Sequence, residues 1–336
     1  MKLSELGEEA LIERIVAEHG LPASGPGLIV GVGDDAAVID TGAREYVIVT
    51  TDMLVEGTHY RLDINTPYQL GWKSIAANIS DIGAMGGLPT WTFVSVAFRA
   101  EMDVEFVDDL YRGMTECARR SGSAIVGGDT NALDAESVIS VTQMGTVEPE
   151  NVARRTGARP GDRILVTGRL GKSRAGLELL LTFGLGEAAA RYPRLVDAHL
   201  MPMPRVPEAR AAVATGHVRA MMDLSDGLGA DLPKLCKASS VGAVVHADKL
   251  PISDELRSGA AYLGRDAVDL AAGGGEDFEL LMAVSPDGVE QVIAAVEAET
   301  GTPVTEIGEI IDGHSAEIAY PDGSKKPLKG GWEHFA

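Results

Sequence analysis

The sequence predicts a two-domain protein of the α/β or α+β class, each domain a mixed sheet packed with helices. Three observations carry that expectation. The chain has 336 residues, a length that corresponds to about two folding units. Short β-like apolar runs alternate with helical patterns along all of it. A turn cluster, Arg159-Pro160-Gly161-Asp162, then interrupts the pattern before a fresh strand begins. This places the boundary near 149–160, with residues 1–149 and 150–336 as the two units. Hydrophobic residues are 45% and charged residues 24% of the chain, the balance of an ordinary globular protein that can bury a core. Aromatics are only 5%, so aliphatic packing must dominate.

Residues 3–18 have the amphipathic spacing of a helix, which Gly20 and Pro22 end. A glycine-rich passage (Gly25, Gly27, Gly31, Gly33) leads to short strands at 36–40 and 45–51. Pro67, well suited to a first helical turn, opens a helix running to Gly83. A strand at 91–98, a helix at 103–120 and strands at 124–127 and 138–145 complete the first unit. The second starts with a strand at 163–167 and a helix at 173–184. A proline-rich connection at 202–207 leads to strand, Asp-rich turn and helix across 220–239. Strands follow near 242–247, 278–284 and 304–310, with a helix at 288–300. No linker of disordered composition separates the halves, so a site at their junction is expected.

With 29 basic against 50 acidic residues, the net charge is −21 at pH 7. Binding to a nucleic-acid backbone needs a positive face, so no nucleic-acid role is expected. The acidic pairs Glu8-Glu9, Asp108-Asp109 and Asp254-Glu255 fall on amphipathic helices, as a solvated surface does. No run of about 18 apolar residues is present, and Met1-Lys2-Leu3-Ser4-Glu5 lacks the pattern of a secretory leader. The expectation is a cytoplasmic protein with no membrane partner. Cys117 and Cys236 stand alone in helical patterns, as two unpaired thiols in a reducing compartment.

Six short segments each set one or two carboxylates against glycine or small residues. They are Gly33-Asp34-Asp35-Ala36, Thr50-Thr51-Asp52, Ser80-Asp81-Ile82-Gly83, Gly127-Gly128-Asp129-Thr130, Asp223-Leu224-Ser225-Asp226-Gly227 and Gly274-Gly275-Glu276-Asp277. Glycine permits sharp turns and close approach, so these acids are expected to be displayed rather than buried. Any one of them alone reads as a helix cap or turn residue, with Asp226 before Gly227-Leu228 the clearest cap. Six together are better explained by divalent cations that offset the repulsion of converging acids, with phosphate oxygens filling the remaining coordination positions.

Two other patterns carry nothing. Gly31-Val32-Gly33-Asp34-Asp35-Ala36 fits the dinucleotide fingerprint, but a strand-like run follows it where that fingerprint opens a helix. Gly168-Arg169-Leu170-Gly171-Lys172-Ser173 lacks the spacing of a Walker A loop and reads as a strand-to-helix turn. No EF-hand loop occurs.

Taken in order, the acidic segments resemble those of the thiamine-monophosphate kinase family. This family lies within the superfamily that includes aminoimidazole ribonucleotide synthetase and selenophosphate synthetase. The resemblance covers nearly the whole chain. It also runs through Thr51-Asp52-Met53-Leu54-Val55-Glu56-Gly57-Thr58-His59 and Asn78-Ile79-Ser80-Asp81. Its most specific parts are Gly274-Gly275-Glu276-Asp277-Phe278-Glu279-Leu280 and the tail Gly331-Trp332-Glu333-His334-Phe335.

The resemblance implies a two-domain architecture like that of aminoimidazole ribonucleotide synthetase, an N-terminal domain that forms a homodimer, and ATP in the cleft between domains. It implies transfer of the γ-phosphoryl group of ATP to thiamine monophosphate, giving thiamine diphosphate. Carried over position by position, Asp35, Thr50, Thr51, Asp52, Asp81, Asp129, Asp223 and Asp226 become ligands of several Mg²⁺ ions. Gly128, Asp129, Ser225 and Arg155 become nucleotide-binding residues, with Arg155 facing phosphate and Arg154 the competing choice. Tyr111 is a candidate for adenine contact. His59, Glu276 and Trp332 become thiamine-binding residues. Asp52, Asp129 and Arg155 would neutralise charge on the moving group, and no residue acts as a covalent nucleophile. The tail's aromatics predict a docked C-terminus. Other readings are a synthetase of the same superfamily or a non-catalytic acidic metal-binding module. The reactive Cys of selenophosphate synthetase has no counterpart near the N-terminus.

Overall fold

The computed structural model describes residues 7–332. Residues 3–6 of the expected first helix, and Glu333, His334 and Phe335 of the tail motif, lie outside them. Helix α1 (Glu8–His19) precedes β1 (Leu28–Val30), β2 (Ala37–Ile39) and β3 (Tyr46–Val55). Next come α2 (Pro67–Ala84), β4 (Leu88–Phe98), α3 (Val104–Arg120), β5 (Ala124–Ala132) and β6 (Val138–Val147). These strands form one six-stranded sheet in the order β1-β2-β3-β6-β4-β5, antiparallel throughout except for β4–β5. The absence of a helix after β1, which pairs directly with β2, removes any dinucleotide-binding βαβ unit here.

The second sheet starts with β7 (Arg163–Thr167), followed by α4 (Lys172–Arg191), α5 (Pro193–Leu200) and α6 (Val206–Val213). Then come β8 (Val218–Asp223), α7 (Leu228–Ser239), β9 (Gly242–His246), α8 (Asp254–Leu263) and α9 (Ala267–Gly273). The chain ends with β10 (Leu280–Val284), α10 (Val289–Thr300), β11 (Val304–Ile311), β12 (Ala316–Ala319) and β13 (Lys325–Pro327). The strand order is β13-β12-β9-β11-β7-β10-β8, with β9–β12 the parallel pair.

Some elements differ from the expectation, each for a local reason. β3 continues past the expected end at residue 51 through Asp52 to Val55, and β5 past residue 127 through Gly128 and Asp129 to Ala132, because ladder pairing to β6 and β4 satisfies their backbone whatever the side chains are. Helix α4 passes through a break at Gly184 (φ 76°) and reaches Arg191. Two short helices, Pro193–Leu200 and Val206–Val213, flank the connection expected at 202–207, and the second takes in its last two residues. Pro193 and Pro207 sit in their first turns, where a missing N–H breaks no helical bond. The capping of α8 by Ser253 and of α9 by Asp266 also lies in polar stretches that carry little apolar signal.

One face of the first sheet is covered by α2 and α3. Thr66 and Gln69 form a reciprocal capping box at the start of α2 (3.3 and 3.0 Å). Where the helices cross, glycine is required on both. A Cβ on Gly71 would lie 1.9 Å from the carbonyl oxygen of Leu110, and one on Gly113 would lie 1.9 Å from that of Tyr68. The other face of α2 meets the second unit, where Trp72 Nε1 donates to Pro202 O at 2.7 Å and Ser80 Oγ donates to Asp223 Oδ2 at 2.5 Å. Cys117 and Cys236 are buried free thiols whose pKa values burial pushes up to about 12 and about 11. They are inert in character.

The helix crossing yields a stability prediction. Gly71→Ala should destabilise by about 1–3 kcal/mol through forced separation of α2 and α3. Gly186→Ala, at a helical position with nothing within 4 Å of the added carbon, should be neutral or slightly stabilising. Calorimetric melting of the two variants checks this, and equal melting temperatures would refute the tight crossing.

Candidate functional site

A cleft of about 630 Å³ opens where the two units meet. Among the residues lining it are Thr51, Asp52, His59, Ser225, Asp226 and Glu276, with Trp332 at its edge. A second groove of about 780 Å³ opens elsewhere at the junction, beside Trp72, Arg120 and Met203, and none of the predicted site residues lines it.

Four chain segments place acids beside the first cleft. β3 alternates, so Thr50 is buried on the side of α2, and Asp52 N–H donates to Asn78 Oδ1 of that helix at 3.0 Å. Helix α2 brings Asp81, whose Oδ2 accepts from Thr50 Oγ1 at 2.7 Å. The turn after Gly33 brings Asp35, and the last residue of β8 is Asp223. One carboxylate oxygen each of Asp35, Asp81 and Asp223 lies within 4.8 Å of the others. Asp35 and Asp223 are therefore not displayed as expected. Asp35 is 9% and Asp223 1% exposed, because β3, α2 and β8 close around them where the two units meet.

The electrostatics follow from that burial. Burial and the neighbouring acids push Asp81 and Asp223 well above the carboxylate range. Burial, with Asp35, raises Asp34 to about 6, and burial, with Asp226, raises Asp52 to about 6. Arg155 is the cation that answers them. Its Nη2 and Nε donate to Asp35 Oδ1 at 2.5 and 3.1 Å, and its backbone N–H donates to Asp34. Asp35 Oδ2 remains buried with no hydrogen-bond partner. One guanidinium against several converging carboxylates, with a buried oxygen still unanswered, is a donor set that suits a divalent cation.

The remaining predicted residues divide. His59 accepts from Val55 N–H at Nδ1 (3.0 Å), in the loop after β3. Asp226 does not cap α7, because Gly227 is the N-cap and makes no side-chain bond. Instead, Asp231 Oδ2 accepts from the N–H groups of Asp226 and Gly227, and Lys234 Nζ bridges Asp226 (2.5 Å) and Asp231 (3.0 Å). The Trp332 N–H donates to Asp226 O at 3.0 Å, so the described end of the tail does lie over the site. Gly128, Asp129 and Tyr111 are not among the residues lining the cleft. Asp129 is exposed on edge strand β5, paired with Ser95, and its carboxylate accepts from Asn131 Nδ2 (2.7 Å). A Cβ on Gly128 would meet Val94 O at 1.8 Å, so glycine there is already required by the sheet. Tyr111 packs against the core beneath α2 and α3.

Sequence reasoning missed Lys73, Ser173 and His199, which also line the cleft. Lys73 gave one signal, a lone cation within the apolar run of α2. The expected strand-to-helix turn at 168–173 is present, and its helix α4 is capped from afar by Asp277, which accepts from Gly171 N–H and Ser173 N–H (3.0 Å for the latter).

The family comparisons agree with this geometry. Residues 33–147 match the model for the AIR synthase related protein N-terminal domain, and residues 159–321 match the C-terminal one. A thiamine-monophosphate kinase of Aquifex aeolicus is 35% identical over 339 residues, covering all of both chains. One from Mycobacterium tuberculosis is 36% identical, covering 99% of this chain and 93% of its own. The solved structure described as AaThiL complexed with AMPPCP and TMP superimposes with a TM-score of 0.83 at 32% identity, covering 99% of each chain. Likeness of this extent in both sequence and fold shows that the chain belongs to the thiamine-monophosphate kinase family, within the AIR synthase related proteins.

Proposed function

We infer that the protein transfers the γ-phosphoryl group of ATP to thiamine monophosphate, forming thiamine diphosphate and ADP. The observation that carries this is the full-length likeness to kinases of that name, joined to a buried acidic cluster beside a cleft lined by His59 and Glu276. In the reaction, a terminal phosphate oxygen of thiamine monophosphate attacks the γ-phosphorus while the bond to the bridging oxygen of ADP breaks. The protein's task is alignment and charge neutralisation. Asp35, Thr50, Thr51, Asp52, Asp81, Asp223 and Asp226 would hold Mg²⁺ at the junction. When bound, Mg²⁺ supplies positive charge against which two polyanions can meet. Ser225 stands beside Asp226 for the nucleotide, and Arg155, once it leaves Asp35, can face phosphate. His59 and Trp332 border the space for the thiamine rings.

The reading assigns catalysis to the junction of an N-terminal unit, 1–149, and a C-terminal unit, 150–336, an assignment supported by sheets that span 28–147 and 163–327. A homodimer is supported by the face of the first sheet away from α2 and α3. Met53, Trp91 and Phe93 are 55, 53 and 40% exposed there, beside the open edge of β5. A second copy docked on this face would bring Asp129, Gly128 and the exposed Thr51 onto a shared surface, which gives Asp129 a route to a metal site that its own cleft does not offer. No helix among the described residues is long and apolar enough to cross a membrane, which agrees with a cytoplasmic biosynthetic role.

Three outcomes test this reading. Asp52→Asn keeps size but removes a charge at the metal site, and should lower kcat by about 10²- to 10³-fold in an ADP-release assay with thiamine monophosphate. Near-normal turnover would remove the metal reading.

The second outcome is pH-dependent. Asp34 and Asp52 hold protons in the fold up to about pH 6, whereas unfolded Asp loses them near 3.9. Stability of the metal-free protein should therefore fall as pH rises from about 4 to about 6. Burial lowers His199 to about 3, a trend of opposite sign, so the decisive quantity is the difference between wild type and Asp52→Asn. The variant should lose less stability over that window, and Mg²⁺ should raise the wild-type melting temperature most at the alkaline end.

Third, Trp332→Ala should raise KM for thiamine monophosphate about 5- to 30-fold, the worth of an aromatic or cation–π contact, with KM for ATP unchanged. Equal changes in both constants, with a lower melting temperature, would make Trp332 a packing residue.

A further inference from the structure

The floor of the thiamine end of the cleft is a linked set of side chains from both units. Glu276 sits in left-handed backbone conformation (φ 63°), as does Phe278 two residues later (φ 49°), a conformation that side-chain-bearing residues adopt only when their surroundings impose it. The surroundings do so: the Glu276 N–H donates to Ser225 O at 2.6 Å, and Asp277 is tied to the start of α4. The carboxylate is then held from two sides. Lys73 Nζ of α2, with a side chain only 2% exposed, is 2.7 Å from Glu276 Oε1. His199 Nδ1 of α5 is 3.3 Å from Oε2 and 3.1 Å from Ser173 Oγ. No hydroxyl or carbonyl among the described residues takes a hydrogen bond from the Lys73 ammonium, so Glu276 is its counter-charge. Burial and the Lys73 charge keep the His199 imidazole neutral.

This arrangement changes what Glu276 can do. A carboxylate already neutralised at 2.7 Å by a buried ammonium offers little net attraction to a second cation. It still has lone pairs to spare, since a carboxylate can accept about four hydrogen bonds, and its side chain is 34% exposed to the cleft. Thiamine carries two features that could meet it, the fixed positive charge of the thiazolium ring and the exocyclic amino group of the pyrimidine.

We propose that Lys73 is a positioning residue that fixes Glu276 as a charge-neutralised hydrogen-bond acceptor, so that the substrate is selected through its pyrimidine amino N–H and not through its ring charge. The assignment rests on the thiamine-monophosphate reading of the cleft. His199 and Ser173 support the carboxylate from the opposite side and limit its rotation. A site built to accept a hydrogen bond rejects an analogue that presents an acceptor there, because two lone pairs then face each other with no proton between them.

The test compares three acceptors with the wild-type enzyme: thiamine monophosphate, its oxo analogue lacking the amino group, and a deaza analogue in which the thiazolium is replaced by an uncharged ring. The oxo analogue should lose on the order of 100-fold in kcat/KM, and the uncharged analogue should stay within about fivefold of the natural substrate. Lys73→Met should raise KM for thiamine monophosphate, leave KM for ATP unchanged and narrow the preference over the oxo analogue. The reverse ranking, with the oxo analogue used well and the uncharged one lost in Trp332→Ala as in the wild type, would make Glu276 a counter-ion and overturn the inference while the kinase reading stands. Equal rise of both KM values in Lys73→Met with the oxo preference intact would reduce Lys73 to a structural residue. Failure of the wild-type enzyme to phosphorylate thiamine monophosphate at all would remove the functional reading and this inference with it. If Lys73→Met does not fold, the ranking in the wild type and in Trp332→Ala still decides.

Discussion

Mutual repulsion among carboxylates enclosed at the domain junction is the constraint on which the rest of the structure depends. Asp35 and Asp81 come from the first unit and Asp223 from the second, so the units meet where like charges meet. Enclosing such charges is costly unless they are protonated, paired or bound to a cation. Two of these devices are visible, and the third is offered a place. Asp81 and Asp223 are driven toward the protonated state, Asp35 is paired with Arg155, and the unanswered Asp35 Oδ2 leaves room for a cation. The energetic penalty of enclosing these acids and the pull they would exert on a divalent ion are the same property seen from two sides.

A site that repels itself must be held together from around its rim. Trp72 binds Pro202 O, Arg210 binds Glu148 through both terminal nitrogens (2.7 and 3.0 Å), and Ser80 binds Asp223. Each links the first unit, or the chain just after it, to the second. Val206 of α6 also packs into the core beneath α2 and α3. Helix α2 has a central place in this frame. Its glycine admits α3 on one side, while Trp72, Lys73, Ser80 and Asp81 face the junction. One helix thus serves packing, the ion pair with Glu276 and the acidic cluster, and it must be rigid for all three.

The end of the cleft at Glu276 uses the opposite electrostatic strategy. Where the acidic cluster sets several carboxylates against one guanidinium, the pair Lys73–Glu276 matches one charge with one inside the fold. The first arrangement suits polyphosphate arriving with cations, and the second suits recognition by direction. The two lie within one cleft because Glu276 follows Gly275, whose backbone packs against Ser225 and Asp226, and the Glu276 N–H donates to Ser225 O.

Much of this was legible in the sequence. Alternating patterns located most strands and helices, since hydrophobic periodicity is a local property. Glycine-flanked acids in six segments pointed to a cation-dependent phosphate site, and the specific runs around Glu276 and Trp332 pointed to the family. The ends of β3 and β5 were missed because ladder pairing with distant strands overrides the local polarity of Asp52 and of Gly128-Asp129. Burial of the acids was misjudged, because a neighbouring glycine says that the backbone can turn and nothing about what closes over it. Taken alone, Asp226 reads as a cap, yet Asp231, five residues on, accepts from the N–H groups of that turn. Lys73 and His199 are separated by more than a hundred residues and carry no motif. Which acids converge, which cation answers each one, and which side of the sheet Asp129 faces were decided by the tertiary structure alone, because electrostatic interaction depends on distance in space and on the solvent that folding excludes.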